Sequence, residues 1–295
     1  MLIASRFAPR FFFLVLLVGM LSCQPKTITN TTKTYTPIPD YEGFVVFKLN
    51  DTPHLPDAEE IGEVGIKDGS FTLRCDLESV LALAEMEARR MGANAIKIYE
   101  HKYPDAWSTC HRIKAKALKI ADVRPFEKEI KWHAQRKLKR EDFKASPLNR
   151  PFEAATNTSL SYGWYGSPIT GKVTVTIKSV FHCHSSYFKN TLNPAQTLAH
   201  EQGHFDITEI HARKLTKAFQ EQVKSMKDLE QQHGQIFSKI RSEWEKAQDQ
   251  YDYDIYNDIT KQKIWFEKIQ ADLDSLSAWS LKELVIPFKA KKSTD

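Results

Sequence analysis

Apolar and polar residues alternate in short runs over the first part of the chain, and one longer run has helical spacing. The runs FVVFKL, SFTLRC, NAIKIYE and HRIKAKALKI show the strand-like period of two. LESVLALAEMEARRM repeats its apolar residues at helical spacing and stops before Gly92, a residue type that commonly terminates helices. Residues 41–121 are therefore predicted to form a small α+β domain in which one helix packs on a short sheet.

The later part of the chain predicts a β-hairpin followed by two long helical segments. AATNTSLSYGWY and GKVTVTIKSVFHC alternate, and the turn-forming cluster GSPITG separates them. Asn193 and Pro194 are typical first residues of a helix, which is predicted to run toward Gly234. A second helical region begins at QIFSKIRSEWEKAQDQY and extends to about Trp279. Residues 151–280 are the expected second domain, and the predicted fold class is α+β.

Segments with little apolar periodicity flank these two domains. Residues 23–40 are rich in Thr, Pro, Lys and Asn and are expected to be a tether. Residues 122–150 are expected to be a polar linker and the start of the second domain, and residues 281–295 a C-terminal tail. No catalytic cluster is visible in residues 41–121, so a binding or structural role is the default expectation there.

Residues 1–22 have the pattern of a signal peptide. Two arginines precede FFFLVLLVGML, an uncharged apolar run too short to span a bilayer. Ser22 directly before Cys23 resembles a bacterial lipoprotein processing site, in which the cysteine is lipidated. The alternative is plain secretion with cleavage nearby. We therefore expect an exported, membrane-anchored lipoprotein, and Gln24 favours the outer membrane, facing the periplasm.

Composition and charge exclude several classes of protein. The charged fraction of 27% and the hydrophobic fraction of 41% are near the average for soluble globular chains, which argues against a disordered or polytopic membrane protein. The net charge of +5 is modest, and its densest basic run, KWHAQRKLKRED, is typical of a solvated linker. No nucleic-acid partner is expected.

The cysteines suggest one disulfide. In an exported chain, Cys75 and Cys110 flank strand-like runs of the same half, so a bridge between them is expected. Cys183 is then the odd cysteine. It lies between two histidines in FHCHSSYF, an alternating strand end that is interpreted as structural rather than metal-binding.

The string HEQGH carries the strongest chemical signal. On a helix, His200 and His204 are roughly 40° and one turn apart, which places both rings on one face. Two imidazoles in this arrangement can share one zinc ion. Glu201 lies one residue round, where its carboxylate can take a proton from activated water and return it to the leaving amine. The alternative is an ordinary pair of surface histidines.

This stretch also resembles a known family. LAHEQGHFDITEIHARKL, preceded by REDFKASPLNRPFEAATNTSLSYGW and KVTVTIKSVF, is similar to a bacterial domain-of-unknown-function family described as predicted secreted zinc-dependent proteases. The resemblance covers about residues 131–270. It implies a zincin-like domain with zinc at His200 and His204 and with Glu201 as the catalytic carboxylate.

A zinc site of this kind needs a third protein ligand. His211 projects at nearly the same angle as His200 but lies about 10 Å beyond His204 along an unbroken helix, which is too far. Asp206 and Glu209 point away from the edge of the helix that carries the two histidines, so they are expected to pack or to orient their neighbours.

The stretch QYDYDIYND offers a ligand from the second helical region. In the resembling family the corresponding pattern is Tyr-Asp-x-x-Thr-x-His-Gly. Tyr251 and Asp252 match it, whereas Ile255, Asn257 and Asp258 depart from it. If the family's ligand is the histidine, this chain is a weakened or metal-free version. If the ligand is the aspartate, Asp252 completes a His, His, Asp site, and we favour this interpretation.

Two functions of different classes follow. The first is a lipid-anchored zinc metallopeptidase with a peptide or protein substrate in the envelope, and a narrower variant cleaves an amide in peptidoglycan. Tyr251 or Tyr256 is a candidate for stabilising the oxyanion, although helix-packing tyrosines are commoner. The second is a catalytically degenerate envelope module that binds a partner. An exposed edge of the GKVTVTIKSVF hairpin is a candidate for holding an extended substrate.

Overall fold

The structure is a computed structural model that describes residues 25–55, 57–69, 75–167 and 171–289. The expected signal peptide, Cys23 and most of the SFTLRC run lie outside the described residues. Helices and sheets are both present throughout, so the predicted α+β class is confirmed. Within the described part of the chain, no helix combines the length and the apolar character that crossing a membrane requires.

The N-terminal unit is a five-stranded sheet covered by one helix. Helix α1 (Leu77–Met91) begins after Asp76, whose carboxylate accepts a hydrogen bond from the Ser79 backbone, and ends at Gly92, where φ is +88°. Its buried residues face the sheet, whose order is β1-β3-β5-β4-β2. The strands are β1 (Lys26–Thr31), β2 (Val45–Phe47), β3 (Glu59–Lys67), β4 (Ala95–Lys102) and β5 (Arg112–Lys119).

Part of the segment expected to be a tether belongs to this sheet. Residues 23–40 contain β1, which pairs antiparallel with β3 from Lys26 opposite Lys67 to Thr31 opposite Gly62. Most β1 side chains are exposed, because the strand lies at the sheet edge and is held through its backbone. Its polar composition therefore gave no indication of pairing.

The expected disulfide is present in this unit. Cys75 and Cys110 are bonded, with their Cα atoms 4.7 Å apart. Cys75 precedes the capping residue of α1 and Cys110 leads into β5, so the bond ties the start of the helix to the sheet that it covers.

A second sheet is organised around one long strand. The strands of the second unit are β6 (Glu129–Lys131), β7 (Ala154–Ala155), β8 (Thr158–Ser167), β9 (Lys172–His182), β10 (Tyr187–Phe188) and β11 (Glu283–Pro287). The predicted hairpin is confirmed as β8 and β9, although residues 168–170 at its tip are not described. Strands β6 and β11 pair with opposite ends of β9, and β7 pairs separately with β10.

The C-terminal segment is not entirely a tail. In the range 281–295, β11 pairs antiparallel with β9 from Glu283 opposite Thr176 to Pro287 opposite Lys172. Only Ile286 of this short strand is fully buried, and it joins the core between the sheet and the helices. One buried residue in five gives too weak a period for a strand to be predicted from the sequence.

The helical region divides differently from the expectation. Its helices are α2 (Pro194–Gln222), α3 (Met226–Asn257) and α4 (Lys261–Ser275). The first break lies before Ser225, whose hydroxyl caps α3 by accepting a hydrogen bond from the Asp228 backbone. Gly234, the expected stop, lies inside α3. The cap fixes the start of α3, and the low helix propensity of one glycine does not interrupt a helix of 32 residues.

Helix α2 occupies the middle of the second unit. Ala212, Leu215 and Phe219 pack toward the sheet, whereas Ile207 and Ile210 join a core cluster with α3 and α4. A helix that is covered on two sides cannot rotate or slide without disrupting both cores. The side chains of α2 are therefore held in fixed positions.

Candidate metal centre

The two histidines of HEQGH meet on one face of α2. The His200 and His204 ring centroids are 4.8 Å apart, and their Nε2 atoms are 3.2 Å apart. Both rings are largely buried between α2 and α3. The i,i+4 geometry expected for two ligands of one metal ion is therefore present.

Asp252 of α3 completes a cluster with these histidines. Its Oδ1 atom lies 3.1 Å from Nε2 of His200 and 3.0 Å from Nε2 of His204. The three atoms form a nearly equilateral triangle. Ligands of a tetrahedral zinc ion, at bond lengths of about 2.0 to 2.2 Å, are about 3.3 Å apart, so this donor set fits zinc in both chemistry and spacing. Within the described ranges, it is the only group of three or more side chains placed to bind a metal.

The charges of this cluster favour an ionised carboxylate. Burial by itself would raise the pKa of Asp252, but hydrogen bonds from His200 and His204 hold that pKa well below its usual range. Burial would likewise lower the pKa of His204, but Asp252 outweighs it and raises the pKa. A carboxylate that remains ionised is in the form that a metal requires.

Gln248 sets the orientation of the His204 ring. Its Nε2 donates to the His204 carbonyl at 3.0 Å and to the Thr208 hydroxyl oxygen at 3.1 Å. A carbonyl can only accept, so the side-chain oxygen of Gln248 must be the atom 2.6 Å from Nδ1 of His204. Nδ1 then carries the proton and donates it to that oxygen. Nε2 donates its own proton to Asp252, and when a metal displaces that proton the ring is neutral and its Nε2 lone pair is directed at the cluster.

Gly203 allows Tyr251 to approach α2 closely. A Cβ atom at position 203 would collide with the Tyr251 hydroxyl and lie 2.6 Å from its Cζ. The hydroxyl donates to the His200 carbonyl at 3.2 Å, and the ring stacks on His200 at 4.8 Å between centroids. Tyr251 has no exposed surface, so its contacts identify it as a support for His200.

Tyr256 is the better placed of the two candidate tyrosines. Its side chain is 62% exposed, and its ring centroid lies 5.8 Å from that of His200. Partial burial, together with the charges of Asp252 and Glu201, raises its pKa to about 12. The hydroxyl therefore keeps its proton at neutral pH and can donate a hydrogen bond.

Glu201 is buried beside the cluster with part of its carboxylate unpaired. It lines the same cavity of about 510 Å³ as His200. Its Oε2 atom makes no hydrogen bond to any described residue, and neither does Nδ1 of His200. Burial raises the pKa of Glu201. An unpaired buried carboxylate oxygen costs stability, so packing alone does not explain its position.

The other polar residues of α2 have structural contacts. The His211 ring is buried, and its Nδ1–H donates to the Ile207 carbonyl at 2.8 Å. Asp206 accepts a hydrogen bond from Nε1 of Trp132 at 2.6 Å. Glu209 is fully buried and accepts from Ser179, Arg213 and Lys282. Asp206 and Glu209 thus join α2 to the rest of the unit, whereas the His211 hydrogen bond stays within α2.

The remaining residues singled out in the sequence lie elsewhere. Cys183 is a free cysteine in the core, where burial raises its pKa to about 11 and keeps the thiol protonated. Asn257 is the last residue of α3, and Asp258 accepts hydrogen bonds from the backbone and hydroxyl of Thr260. The departures from the family pattern therefore lie beyond the residue that meets the histidines, Asp252.

Sequence reasoning did not identify Gln248 or the role of Gly203. Gln248 precedes Asp252 by four residues, so helical spacing would have placed both on one face of α3. Gly203 is an unspecified position of the His-Glu-x-x-His string. Its importance depends on Tyr251, a residue of another helix.

Comparison with known proteins agrees with part of the resemblance. Residues 130–256 match the model of a family described as a bacterial protein of unknown function (DUF922). The matched segment includes His200, Glu201, His204 and Asp252. The resemblance to a bacterial domain of unknown function is confirmed over these residues, and the description assigns no activity. No curated protein and no solved structure matches the chain.

Proposed function

We propose that this protein is a zinc-dependent peptidase that acts in the bacterial envelope. One observation carries the proposal: three metal-ligating atoms of His200, His204 and Asp252 lie 3.0 to 3.2 Å apart beside a cavity that Glu201 also lines. The paired imidazoles with one carboxylate match the ligand types of catalytic zinc sites, which keep a fourth position open.

Each residue of the site has a part in peptide hydrolysis. His200, His204 and Asp252 would hold the ion. Zinc at this position would supply Lewis-acid chemistry, polarising a carbonyl and lowering the pKa of water. Glu201 accepts a proton from the attacking water and delivers it to the amine that leaves, and its raised pKa favours the second transfer. Tyr256 donates a hydrogen bond to the oxygen on which negative charge develops.

An exported, lipid-anchored location accompanies this proposal. It is supported by the apolar run within residues 1–22 and by Cys23 directly after Ser22. The bond between Cys75 and Cys110 is of the kind that persists outside the cytosol. A substrate in the envelope follows from the location.

Metal content and two variants test the function. The purified protein is expected to bind about one zinc ion per chain. Glu201→Gln should retain zinc and lose peptide cleavage by about 10²- to 10⁴-fold, whereas His204→Ala should lose zinc. Glu221→Gln, on the exposed end of α2, and His184→Ala, at an exposed position outside the cluster, are the matched controls.

Three results would contradict the proposal. A protein that takes up no zinc at saturating supply has no metal centre. Cleavage that survives Glu201→Gln would exclude this residue as the base. A protein that binds zinc but cleaves no member of a broad peptide library would instead support the competing function, a binding module that has lost catalysis.

A further inference from the structure

Large apolar side chains surround the cavity next to the metal cluster. Four of them are at least half exposed, and they come from four segments: Phe152 before β7, Leu192 before α2, Tyr256 near the end of α3, and Ile259 between α3 and α4. Their exposed fractions are 54%, 96%, 62% and 52%. An exposed apolar patch that is assembled from separate segments around a cavity indicates a binding surface.

Two of these side chains form an ordered wall. The Phe152 and Tyr256 rings are stacked, with an interplanar angle of 11° and 6.2 Å between centroids. Tyr256 in turn lies beside His200. A bound apolar group that rests on this wall is therefore adjacent to the cluster.

The charge of the cavity lining is negative. Glu153 and Glu201 line it, and no described lysine or arginine does. Arg150, the nearest cation along the chain before Glu153, lies over the Tyr187 ring at 5.3 Å. Lys261 lies 3.3 Å from an oxygen of Asp254. Apart from the proposed zinc ion, a ligand with a free carboxylate would thus find no cation in the described lining of this cavity and would meet the like charge of Glu153.

We infer that this cavity selects an apolar side chain from the interior of a peptide, next to the bond to be cleaved, and rejects free carboxylates. The inference rests on the proposed function and specifies its substrate class. Burial of an apolar side chain against Phe152 and Leu192 provides the affinity, and Glu153 provides the discrimination. A protein segment is therefore favoured over peptidoglycan stem peptides, which carry free carboxylates, and over the carboxyl terminus of any chain.

Cleavage of matched peptides measures the selection. Peptides blocked at both ends and differing at one position next to the cleaved bond are compared with the zinc-loaded protein. Phe or Leu at that position should give a kcat/KM about 10- to 100-fold above that of Gly, and Asp should give the lowest value. Equal kcat/KM values for all four would overturn the inference while leaving the peptidase function in place.

Binding to zinc-loaded Glu201→Gln separates the inference from catalysis. The affinity of a fluorescent Phe-containing blocked peptide should fall about tenfold in a Leu192→Ser background. The control Leu281→Ser removes a leucine that is 89% exposed and does not line the cavity, and it should leave the affinity unchanged. An equal loss of peptide affinity in the two variants, or no loss in either, would contradict the assigned surface.

Charge reversal tests the rejection of carboxylates. Glu153→Lys should raise the affinity for a peptide with a free terminal carboxylate by roughly fivefold relative to the affinity for the same peptide with a terminal amide. This is the effect expected of one exposed charge pair. Preference of the unmodified protein for the free carboxylate would overturn the inference. Selective binding of apolar peptides without any cleavage would sustain the inference and refute the proposed function.

Discussion

Nδ1 of His204 donates a hydrogen bond to Oε1 of Gln248 across the interface between α2 and α3. The distance is 2.6 Å, and the amide is held in this orientation by the two hydrogen bonds that its nitrogen donates. The contact determines which nitrogen of the imidazole has a free lone pair. Gln248 is not one of the proposed ligands, but through this contact it should affect the affinity of His204 for metal.

Gln248→Leu is expected to lower zinc affinity by about 10- to 100-fold, because the His204 ring loses the group that orients it. Competition with a chelating dye measures the affinity. Gln231→Leu, the same change at an exposed position of α3, is the control. Gln248→Glu retains an acceptor oxygen and should recover most of the affinity. A loss in Gln248→Glu equal to that in Gln248→Leu would assign the effect to packing instead.

Asp252→Asn is expected to weaken zinc binding, since it removes the negative charge of the third proposed ligand, which lies beside both histidines. The matched control is Asp254→Asn on the same helix. Asp254 accepts a hydrogen bond from Nε1 of Trp265 at 3.1 Å and does not belong to the cluster. Zinc titration of both variants should show a loss of at least about tenfold for Asp252→Asn alone. Equal affinities in the two variants would exclude Asp252 as a ligand.

The parts of the site that follow from local spacing were predictable from the sequence. His200, Glu201 and His204 lie within one turn and a half of helix, so their relative positions depend only on helical geometry. Asp252 was expected from the resemblance to a family, because no local rule specifies how α3 packs on α2. Gln248 and Gly203 act through contacts between those helices, and such contacts depend on the whole fold.

In the fold as well, an element was predictable from the sequence where its limits depend on its own residues, and not where they depend on a distant partner. Helix α1 carries its own signals, the cap at Asp76 and the stop at Gly92, and its limits were predictable. Strands β1 and β11 are recognised only through their partners β3 and β9, because each buries few side chains. Edge strands of this kind are stabilised mainly by backbone hydrogen bonds, which no side-chain pattern reports.

Two glycines in the helices should respond to alanine in opposite ways. Gly203→Ala would force Tyr251 away from α2 and is expected to destabilise the protein by about 1 to 3 kcal/mol. Gly234 lies inside α3, where a Cβ would meet no atom of the described residues within 4 Å, so Gly234→Ala should stabilise by about 0.5 to 1 kcal/mol. Urea unfolding in the presence of a chelator measures both.

Zinc affinity tests whether displacement of Tyr251 is the cause of the destabilisation expected for Gly203→Ala. Because Tyr251 stacks on His200, Gly203→Ala should also weaken metal binding, whereas Gly234→Ala should leave it unchanged. Unaltered stability and metal affinity in Gly203→Ala would show that α2 and α3 can separate at this point without consequence.

His211 makes the stability of the protein depend on pH. Burial lowers its pKa from 6.5 to about 4, and the positive charge of Lys214 acts in the same direction. Between these two values the unfolded chain binds a proton that the folded protein does not bind. The free energy of unfolding contributed by this residue is therefore fully present above pH 6.5 and decreases as the pH falls toward 4.

His211→Leu is expected to remove this dependence. The full loss across the interval is about 3 kcal/mol, so the variant should gain up to that amount relative to the unmodified protein between pH 6.5 and pH 4. Urea unfolding of both proteins at several pH values, with a chelator present so that metal binding does not contribute, measures the difference. Two stability curves that remain parallel over this interval would show that His211 is protonated in the folded protein as readily as in the unfolded chain.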